Sequence, residues 1–373
     1  MFITVLIIFF SLVFLMALHE FGHFLLAKKF GVLVEEFGIG YPPKIYGKKF
    51  GETIYSLNLL PFGAFVRILG TDEKVEHPRS FSEIPLFQRV LIILGGVVSF
   101  WIIAFLIFSF VAGVWGLPTV IPDDFKENAL RAEVQIVQVF PDSPAEKTGL
   151  EMGDVILELK VKNDPEKVSS IFNEAGKLKI DKTKQVQDFI GGHLGQDIIL
   201  TIKRGKEILD ITLNPRVSPP EGEGAIGVSL ARVTRMRYSW YRAPLVGASL
   251  TGQKTIEMPL TLGMILKRLL QGEKVKEVKI VGPIGIGTMM VESIDRGFDN
   301  FLLFVGILSV WLAFSNLLPI PALDGGKLLF LIIEKFKGVP VNEKLEKNIT
   351  TFFFAALVIL MIFVTIRDII NIF

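Results

Sequence analysis

The sequence contains no cysteine in its 373 residues. This absence excludes disulfide bonds, iron–sulfur clusters, cysteine-ligated zinc and a cysteine nucleophile. Charged residues are also scarce, at 21% of the chain, and they nearly cancel to a formal net charge of +2. No basic stripe stands out, so binding to nucleic acid is not expected. Half of the residues are hydrophobic and the mean hydropathy is +0.51, which excludes a disordered chain and indicates an integral membrane protein.

Four uncharged apolar runs are each long enough to cross a lipid bilayer, for which about 20 mostly apolar residues are needed. They cover residues 2–18, 90–114, 301–323 and 349–366, and the first continues beyond a short polar motif to Ala27. Buried core helices of a soluble domain are a poor explanation for four such runs. The first run has no positively charged start and no small-residue cleavage site, which favours an uncleaved span over a signal peptide.

Lysines indicate how these spans are oriented. The connections after the first and third spans carry Lys28, Lys29, Lys44, Lys48, Lys49, Lys327, Lys335, Lys337, Lys344 and Lys347. By the positive-inside rule both connections lie in the cytoplasm. The N-terminus and residues 115–298 are then expected outside.

Two glycine-marked apolar stretches lie between the first two spans. They are residues 37–43, which read F-G-I-G-Y-P-P, and residues 54–69. Aromatic and β-branched residues punctuated by glycine and proline predict short strands. We expect a β-hairpin that dips toward the membrane. Because lipid cannot satisfy its backbone, protein or a water-filled cavity must shelter it.

Residues 131–217 have the pattern of one small β-rich domain. The predicted elements are strands at 134–140, 155–161, 198–204 and 207–213 and a short helix at 184–191. This order, with S-P-A-E-K-T-G-L-E-M-G-D-V-I at 143–156, resembles a PDZ domain of the bacterial permuted type. The resemblance implies a groove that binds a peptide tail as an added strand. A folded spacer is the alternative, and residues 221–224 are expected to be a linker.

Two further apolar segments, at 258–270 and 280–290, are too short to span a bilayer and are expected to be interfacial or re-entrant. The predicted fold class is a polytopic α-helical membrane protein of about four transmembrane helices, with a membrane-associated β-hairpin element and one PDZ-like β-rich insert. The predicted divisions are transmembrane helix 1 at 1–30, the hairpin region at 31–85, transmembrane helix 2 at 86–114, the PDZ-like domain at 131–217, a linker at 218–298, transmembrane helix 3 at 299–323, a cytoplasmic connection at 324–348 and transmembrane helix 4 at 349–370.

Two of the four histidines lie in His19-Glu20-Phe21-Gly22-His23, inside the first span. Residues four apart share a helix face, so His19 and His23 can bind one metal ion. Glu20 lies about 100° round the helix, where it can reach a metal-activated water without being a ligand. A charged group at mid-membrane costs about 2.5–3.5 kcal/mol even on insertion scales, so such a motif usually marks function. Snorkelling near the end of the span is the alternative.

A catalytic zinc site takes a third protein ligand. Asp324 ends the third apolar run in N-L-L-P-I-P-A-L-D-G-G, at 316–326. The first and third spans run in the same direction, so Asp324 and the two histidines are expected on one side and at similar depth. A cap or turn role before Gly325 is the alternative, and both roles can coexist. The remaining histidines, His77 and His193, lie in polar, loop-like contexts.

The order of these motifs resembles that of the site-2 protease family of intramembrane zinc metalloproteases, in the bacterial branch of regulator-of-sigma-E proteases. H-E-F-G-H, G-I-G-Y-P-P, the PDZ-like insert, G-P-I-G-I at 282–286 and N-L-L-P-I-P-A-L-D-G-G follow one another over nearly the whole chain. The resemblance implies cleavage of the membrane segment of single-span proteins, for example an anti-sigma factor or signal-peptide remnants. It also implies a bacterial inner membrane, with the active site near the cytoplasmic side and the insert outside.

The resemblance further implies roles for single residues. Zinc is bound by His19, His23 and Asp324, and Glu20 is the catalytic base. Asn316 and the membrane-associated hairpin at 38–66 hold a substrate helix that is unwound at the site. The candidate substrate contacts within the hairpin are Gly63, Ala64 and Phe65.

Two features depart from the family pattern. Residues 96–100 in the second span lack the Pro and Asn of a G-P-x-x-N stretch. Any polar contact from that Asn is absent or replaced, with Ser99 as the candidate. The chain also has room for one PDZ-like domain where better-known members carry two, which implies weaker filtering of substrates by size.

Two other classes of function fit part of the pattern. A polytopic metal-ion transporter could use His19, His23 and Asp324 as a transit site. However, no internal repeat is visible, and Glu20 would have no role. A non-catalytic membrane scaffold that carries a PDZ domain would need neither the base nor the ligands.

Overall fold

The computed structural model describes residues 2–71, 73–125, 132–162, 164–168, 180–272 and 281–372. Residues 131 and 280, the predicted first residues of the insert and of an apolar segment, lie outside these ranges. The chain divides into two compact units. The first contains residues 1–110, 241–294 and 299–373, and the second contains residues 111–240 and 295–298.

Helices dominate the first unit and strands the second. The helices are α1 (Phe2–Lys29), α2 (Leu86–Val114), α3 (Pro144–Lys147), α4 (Thr183–Gly192), α5 (Ala243–Leu270), α6 (Pro283–Asp295), α7 (Phe298–Leu317), α8 (Asp324–Lys337) and α9 (Glu343–Ile372). The strands are β1 (Val34–Phe50), β2 (Thr53–Ile68), β3 (Leu117–Val120), β4 (Glu133–Val139), β5 (Val155–Val161), β6 (Asp164–Val168), β7 (Ile198–Arg204), β8 (Glu207–Leu213) and β9 (Val228–Met236). Within the described ranges, α1, α2, α7 and α9 are long and apolar enough to cross a membrane.

The third apolar run does not stay helical to its end. α7 ends at Leu317 and α8 begins at Asp324. Pro319 and Pro321 lie between them, and each lacks a backbone N–H and disfavours helix in the residue before it. The third span is therefore shorter than the predicted 299–323, and the connection that follows contains the amphipathic helix α8.

The two short apolar segments are helical. The stretch at 258–270 is the C-terminal half of α5, which runs through Pro259 without ending there. α6 contains residues 283–290 of the second segment. Neither α5 nor α6 has the combination of length and hydropathy of the four candidate spans.

The hairpin between α1 and α2 is more folded than two simple strands. Residues 36–39 of β1 pair on one side with residues 64–67 of β2 and on the other side with residues 54–57. Residues 54–57 also pair with residues 46–49 at the other end of β1. Residues 64–68 of β2 thereby form one edge of this sheet, and β2 packs against α1.

Three apolar clusters and a close helix contact hold the described part of the first unit together, and one cluster includes residues of both hairpin strands. The buried members of the cluster are Phe24, Ala27, Val32, Val34, Ile68, Phe81, Ile92, Ile93 and Leu331. They come from α1 and the turn after it, both hairpin strands, the loop that follows, α2 and α8. A Cβ on Gly22 of α1 would collide with the backbone of Gly95 on α2, so these helices approach backbone to backbone.

The second unit is built on a seven-stranded sheet of order β3-β9-β4-β5-β7-β8, in which β6 pairs with β5. Alternating residues of these strands and one face of α4 fill its core with buried aliphatic side chains, including Ile136, Leu159, Leu200, Val186 and Ile190. Together with the four candidate spans and the hairpin, this β-rich insert confirms the predicted fold class.

The sheet of the insert extends beyond the predicted end at residue 217. β9 lies between β3 and β4, pairing Leu117 with Met236 on one side and Glu133 with Val233 on the other. The glycines at 222 and 224 resemble a linker in sequence, but the chain is tied to the domain there. Arg216 donates a 2.6 Å hydrogen bond to Glu223 across this turn.

The N-terminus of α4 is held by Asp123, a residue distant in sequence. Its carboxylate accepts hydrogen bonds from the N–H of Thr183 (3.1 Å), the hydroxyl of Thr183 (2.8 Å) and the N–H of Lys184 (2.9 Å). Burial alone raises the pKa of Asp123, but these three donors bring the pKa below its ordinary value. Asp123 therefore acts as an N-cap supplied from another part of the chain.

Asp123→Ala should destabilise α4 by about 0.5–2 kcal/mol, the usual cost of losing a helix cap. Because the pKa is lowered by folding, this stability is complete above the unfolded value of about 4. It is lost as the pH falls through the folded value. Amide hydrogen exchange of α4 in the full-length protein measures the effect, and protection should fall about 2- to 30-fold. Asp124→Ala, at the exposed neighbour, is the control, and an equal loss in both variants contradicts the capping role.

Candidate metal centre

The structure brings the three predicted ligand groups together. The Nε2 atoms of His19 and His23 and the Oδ2 atom of Asp324 form a triangle whose sides are each 3.3 Å. Both histidines are buried, at 5% and 8% exposure, and the Asp324 side chain is 15% exposed. Within the described part of the chain, no other His, Asp or Glu side chains cluster in an arrangement suited to a metal ion.

The triangle fits a tetrahedral zinc ion. Zinc bonds to imidazole nitrogen and carboxylate oxygen are about 2.0–2.2 Å long, so two ligands of a tetrahedral site lie about 3.3–3.5 Å apart. The Oδ2 atom of Asp324 is buried and has no hydrogen-bond partner among the described residues. A buried carboxylate oxygen is costly unless a cation or a donor completes it. The set of two imidazoles and one carboxylate leaves a fourth position for water.

α2 orients both imidazoles, each in a different way. The Nδ1 atom of His23 lies 2.9 Å from the carbonyl oxygen of Ile92. Because a carbonyl only accepts, Nδ1 carries the proton and Nε2 keeps its lone pair for a metal. The ring of His19 stacks on Phe100, with centroids 4.7 Å apart and an interplanar angle of 16°. Ile92 and Phe100 were not among the predicted site residues, since neither side chain carries a reactive group.

Glu20 faces the hairpin sheet. Its Oε2 atom accepts a hydrogen bond of 3.1 Å from the backbone N–H of Val66 in β2. Glu20 does not belong to the cluster of ligand atoms, as a general base beside a metal requires. Its catalytic role stays a prediction.

Glycines of α2 make room for the imidazoles. A Cβ on Gly96 would collide with the rings of His23 and His19. Gly95 is restricted in the same way, because its Cβ would lie 2.7 Å from the carbonyl oxygen of Gly22. The sequence signal for this role is the pair Gly95-Gly96 inside a span of otherwise bulky apolar residues. This signal was not used in the prediction.

Asp324 is the first residue of α8, and it does not cap that helix. The N-cap residue is Leu323, without a side-chain capping bond, so the Asp324 carboxylate remains available to a metal. A Cβ on Gly325 would collide with the carbonyl groups that end α7, which explains the glycine after the ligand. Arg89 of α2 anchors α8 through paired hydrogen bonds of 3.0 and 2.6 Å to the carboxylate of Glu334.

Two polar residues that were expected near the site bond within their own helices. The Nδ2 of Asn316 donates to the carbonyl of Leu312 at 2.9 Å, within α7. The hydroxyl of Ser99 donates to the carbonyl of Gly95 at 2.9 Å and lies against Gly22. In this arrangement Ser99 serves the contact between α1 and α2.

The remaining predicted residues fall in two places. Gly63, Ala64 and Phe65 immediately precede Val66, the residue that binds Glu20. His77 accepts a hydrogen bond from the backbone of Arg79, and His193 ends α4. Neither of these histidines belongs to the ligand cluster.

Four apolar helices and a buried His-His-Asp triangle with an adjacent glutamate fit a metal-dependent hydrolase of the multi-pass membrane class. The chain belongs to peptidase family M50, the site-2 protease family, whose model matches residues 7–360. This confirms the resemblance and identifies the protein as a zinc metalloprotease of that family.

Individual relatives agree over nearly their whole length. A protein of Clostridium perfringens that is named as a zinc metalloprotease is 33% identical over 356 residues, which cover 95% of each chain. The zinc metalloprotease RasP of Oceanobacillus iheyensis is 26% identical over 448 residues, covering 96% of this chain and 97% of that one. The regulator of sigma-W protease RasP of Bacillus subtilis is 27% identical over 456 residues, covering 100% and 98%.

Gly96→Ala should weaken zinc binding at least about tenfold while the protein stays folded, because the added methyl group displaces the imidazoles. Metal analysis after dialysis against graded chelator measures the loss in the detergent-solubilised protein. Gly263→Ala in α5 is the matched control, since a Cβ there meets nothing within 4 Å. Wild-type zinc affinity in Gly96→Ala would show that α2 does not confine the ligands.

Proposed function

We propose that this protein is a zinc-dependent intramembrane endopeptidase that cleaves the transmembrane segment of single-span membrane proteins. The observation that carries the proposal is the buried triangle of His19, His23 and Asp324 with Glu20 beside it. Two of these ligands lie on α1, an apolar helix long enough to cross the bilayer. A hydrolytic site on such a helix is suited to substrates that are themselves in the membrane.

Each residue of the site has a defined chemical task. His19 and His23 would hold zinc through Nε2, and Asp324 would hold it through Oδ2. When bound, zinc lowers the pKa of water toward about 7 and polarises the substrate carbonyl. Glu20 takes a proton from the attacking water and then delivers it to the departing amine nitrogen. The Val66 N–H keeps the Glu20 carboxylate in place during these transfers.

A substrate helix must unwind before it can be cut. Its peptide bonds are shielded by their own hydrogen bonds, and each N–H and C=O that is freed in lipid needs a new partner. The β2 edge at residues 64–68 offers backbone partners by strand addition. The Asn316 amide can both donate and accept, so it is the second candidate partner.

Location and regulation follow from the sequence and from the relatives. The lysine-rich connections support an orientation with the zinc site near the cytoplasmic face of a bacterial inner membrane and the insert outside. One relative is named regulator of sigma-W protease, which supports regulated proteolysis of an anti-sigma factor. Signal-peptide remnants are a second substrate class. The insert would bind a peptide tail as an added strand.

Exchange of single site residues tests the proposed roles of the base and of the metal ligands. Glu20→Gln should keep zinc but abolish cleavage of a co-expressed, tagged single-span protein by at least about 100-fold, since the amide cannot accept a proton. His23→Ala and Asp324→Asn should lose most of the zinc as well. Full zinc content in Asp324→Asn removes that residue from the site. Cleavage by Glu20→Gln at a tenth of the wild-type rate contradicts its role as the base.

Removal of the insert should leave the zinc site intact and relax selectivity, because all three ligands lie in the first unit. Leu117 of β3 pairs with Met236 of β9, so the two ends are close and a short Gly-Ser linker can replace residues 117–236. β3 and β9 are then removed together with the strands between them. Longer single-span substrates should then be cleaved more often than by the wild type, as judged by immunoblot. A variant that binds zinc but cuts nothing would place the insert in the catalytic machinery.

Asn316→Ala and Ala64→Pro should slow cleavage strongly with zinc retained, because each removes a partner for the unwound substrate. Substrates with Gly or Pro near the cut should be cleaved faster and should partly rescue both variants. Rates on a matched pair of stable and weakened substrate helices measure the rescue. If each substitution lowers the cleavage rate by the same factor on the stable and on the weakened substrate helix, these residues do not assist unwinding.

A further inference from the structure

We infer that the built-in segment, residues 117–125 of the insert, occupies one end of the groove between β9 and α4, so that a peptide tail can pair only with Val228–Ala231. These residues begin β9. The assignment rests on the proposed function, in which the insert binds a tail as an added strand. It goes beyond that proposal by naming the place of binding, the length of tail accepted and the residues that set this length.

β9 has different partners along its two sides. On one side β4 pairs with residues 228–233 of β9. On the other side β3 pairs with residues 233–236, and the N–H of Ile121 donates at 2.9 Å to the carbonyl of Arg232. The built-in segment thus covers this side of β9 as far as Arg232. Among the described residues, no strand pairs with residues 228–231 there.

Alternation along β9 identifies the backbone groups on the uncovered side. In an antiparallel pair the N–H and C=O of one residue point to the same side, and successive residues alternate. Because the carbonyl of Arg232 faces the built-in segment, the groups of Leu230 and Val228 face that side too. Those of Ala231 face β4, as does the carbonyl of Gly227, which accepts at 2.9 Å from the residue that follows β4. Val228 and Leu230 are partly exposed, so their donors and acceptors remain for an added strand.

The built-in segment ends in a turn that closes the groove beside Arg232. The N–H of Phe125 donates at 3.2 Å to the carbonyl of Pro122, which turns the chain away from β9. The side chain of Arg232 is 2% exposed. Its Nη1 atom lies 3.1 Å from three carbonyl oxygens of the turn, those of Pro122, Asp123 and Phe125. A tail that pairs with residues 228–231 must therefore leave the sheet at this turn.

The same turn is fastened to α4, which contacts β9. Asp123 caps the N-terminus of α4 through Thr183 and Lys184. The guanidinium of Arg232 also lies 3.6 Å from the carboxylate of Asp181, just before that helix. The helix and the strand are thus joined at this end of the groove, and a tail cannot pass between them there.

The uncovered part of the groove is short and apolar. An added strand pairs with its neighbour residue for residue, so Val228–Ala231 accept about four residues of a tail. Leu230 of β9 and Phe189 of α4 are partly buried against the core of the insert, which favours apolar tail residues. The built-in segment is itself an extended chain on this edge, so the rest of the edge suits another extended chain.

Amide hydrogen exchange in the full-length wild type tests the division of β9 without any ligand. The amides of Ile121 and Ala231 should be protected, because each donates within the sheet. The Leu230 amide should exchange at least about tenfold faster than that of Ala231, since it faces the uncovered side. Protection of Leu230 equal to that of Ala231 overturns the inference.

Two proline variants test whether the ladder holds the built-in segment in place. Thr119→Pro removes a donor to β9, so Ile121 should lose protection while Ala231 keeps it as a sign of an intact fold. Val120→Pro is the matched control, because Val120 is 66% exposed and its N–H points away from β9. Equal exchange at Ile121 in both variants contradicts the pairing.

Synthetic tails test the length limit. Octapeptides with a free C-terminus are selected from a random library on the full-length wild type, and those that also bind the variant without residues 117–236 are discarded. The C-terminal tetrapeptide of each should bind within about threefold of the parent affinity, because the additional residues find no free backbone groups. An octapeptide that binds at least about tenfold more tightly than its tetrapeptide overturns the limit.

Release of the built-in segment should lengthen the accepted tail. Octapeptides selected on Thr119→Pro should lose at least about tenfold in affinity when shortened to tetrapeptides, since the vacated end of β9 pairs with them. Val120→Pro should behave like the wild type. Equal effects of shortening in the two variants show that the built-in segment does not set the length.

These outcomes are separate from failure of the proposed function. If neither the wild type nor Thr119→Pro selects any peptide, the insert binds no tail and the length limit falls with the proposed peptide binding. If peptides are selected but the wild type prefers octapeptides, the insert binds tails as proposed, and the role of the built-in segment alone is wrong.

Discussion

Burying two imidazoles and a carboxylate between apolar helices is costly unless their polar atoms are satisfied, and the atoms that face one another in the first unit are arranged around this requirement. The Nδ1 atom of His19 is the exception, since it is buried and has no hydrogen-bond partner among the described residues. An unpaired buried charge costs several kcal/mol. The three ligand atoms therefore face one another at 3.3 Å, where a single cation can complete all of them. The remaining proton of His23 goes to a backbone carbonyl of α2. Such close convergence needs small residues, so Gly96 and Gly325 lie where any side chain would enter the ligands or the adjacent backbone.

The same requirement operates at the hairpin. The edge of a sheet has backbone donors that need partners wherever water cannot reach them. One of these donors, the Val66 N–H, is satisfied by Glu20, and the carboxylate is held away from the metal ligands by the same bond. A single contact thus meets a structural need of β2 and positions the residue proposed as the base. The hairpin and the HExxH helix are consequently joined at Glu20, although α1 alone carries the motif.

Local patterns predicted most of this structure, and non-local pairing accounts for what was missed. The spans, the His19–His23 spacing and the Asp324 motif are each visible within about 20 residues of sequence. β9 was missed because its partners β3 and β4 are far away in the chain and because its leading glycines resemble a linker. The break between α7 and α8 was visible in Pro319 and Pro321, but the apolar run through them dominated the interpretation. The bond from Val66 to Glu20 depends on strand register, which a single sequence does not specify.

The proposed zinc site also bears on how the helices assemble. His19 and His23 come from α1, whereas Asp324 comes from α8, near the other end of the chain. In the unfolded chain these groups are not preorganised, so binding of a metal by them would be thermodynamically linked to helix assembly. Protein contacts also stabilise the assembled helices. The apolar cluster that includes both hairpin strands joins α1, α2 and α8, and Arg89 donates two hydrogen bonds to Glu334. Protein contacts at Leu331 and Glu334 therefore hold α8 in place independently of any metal.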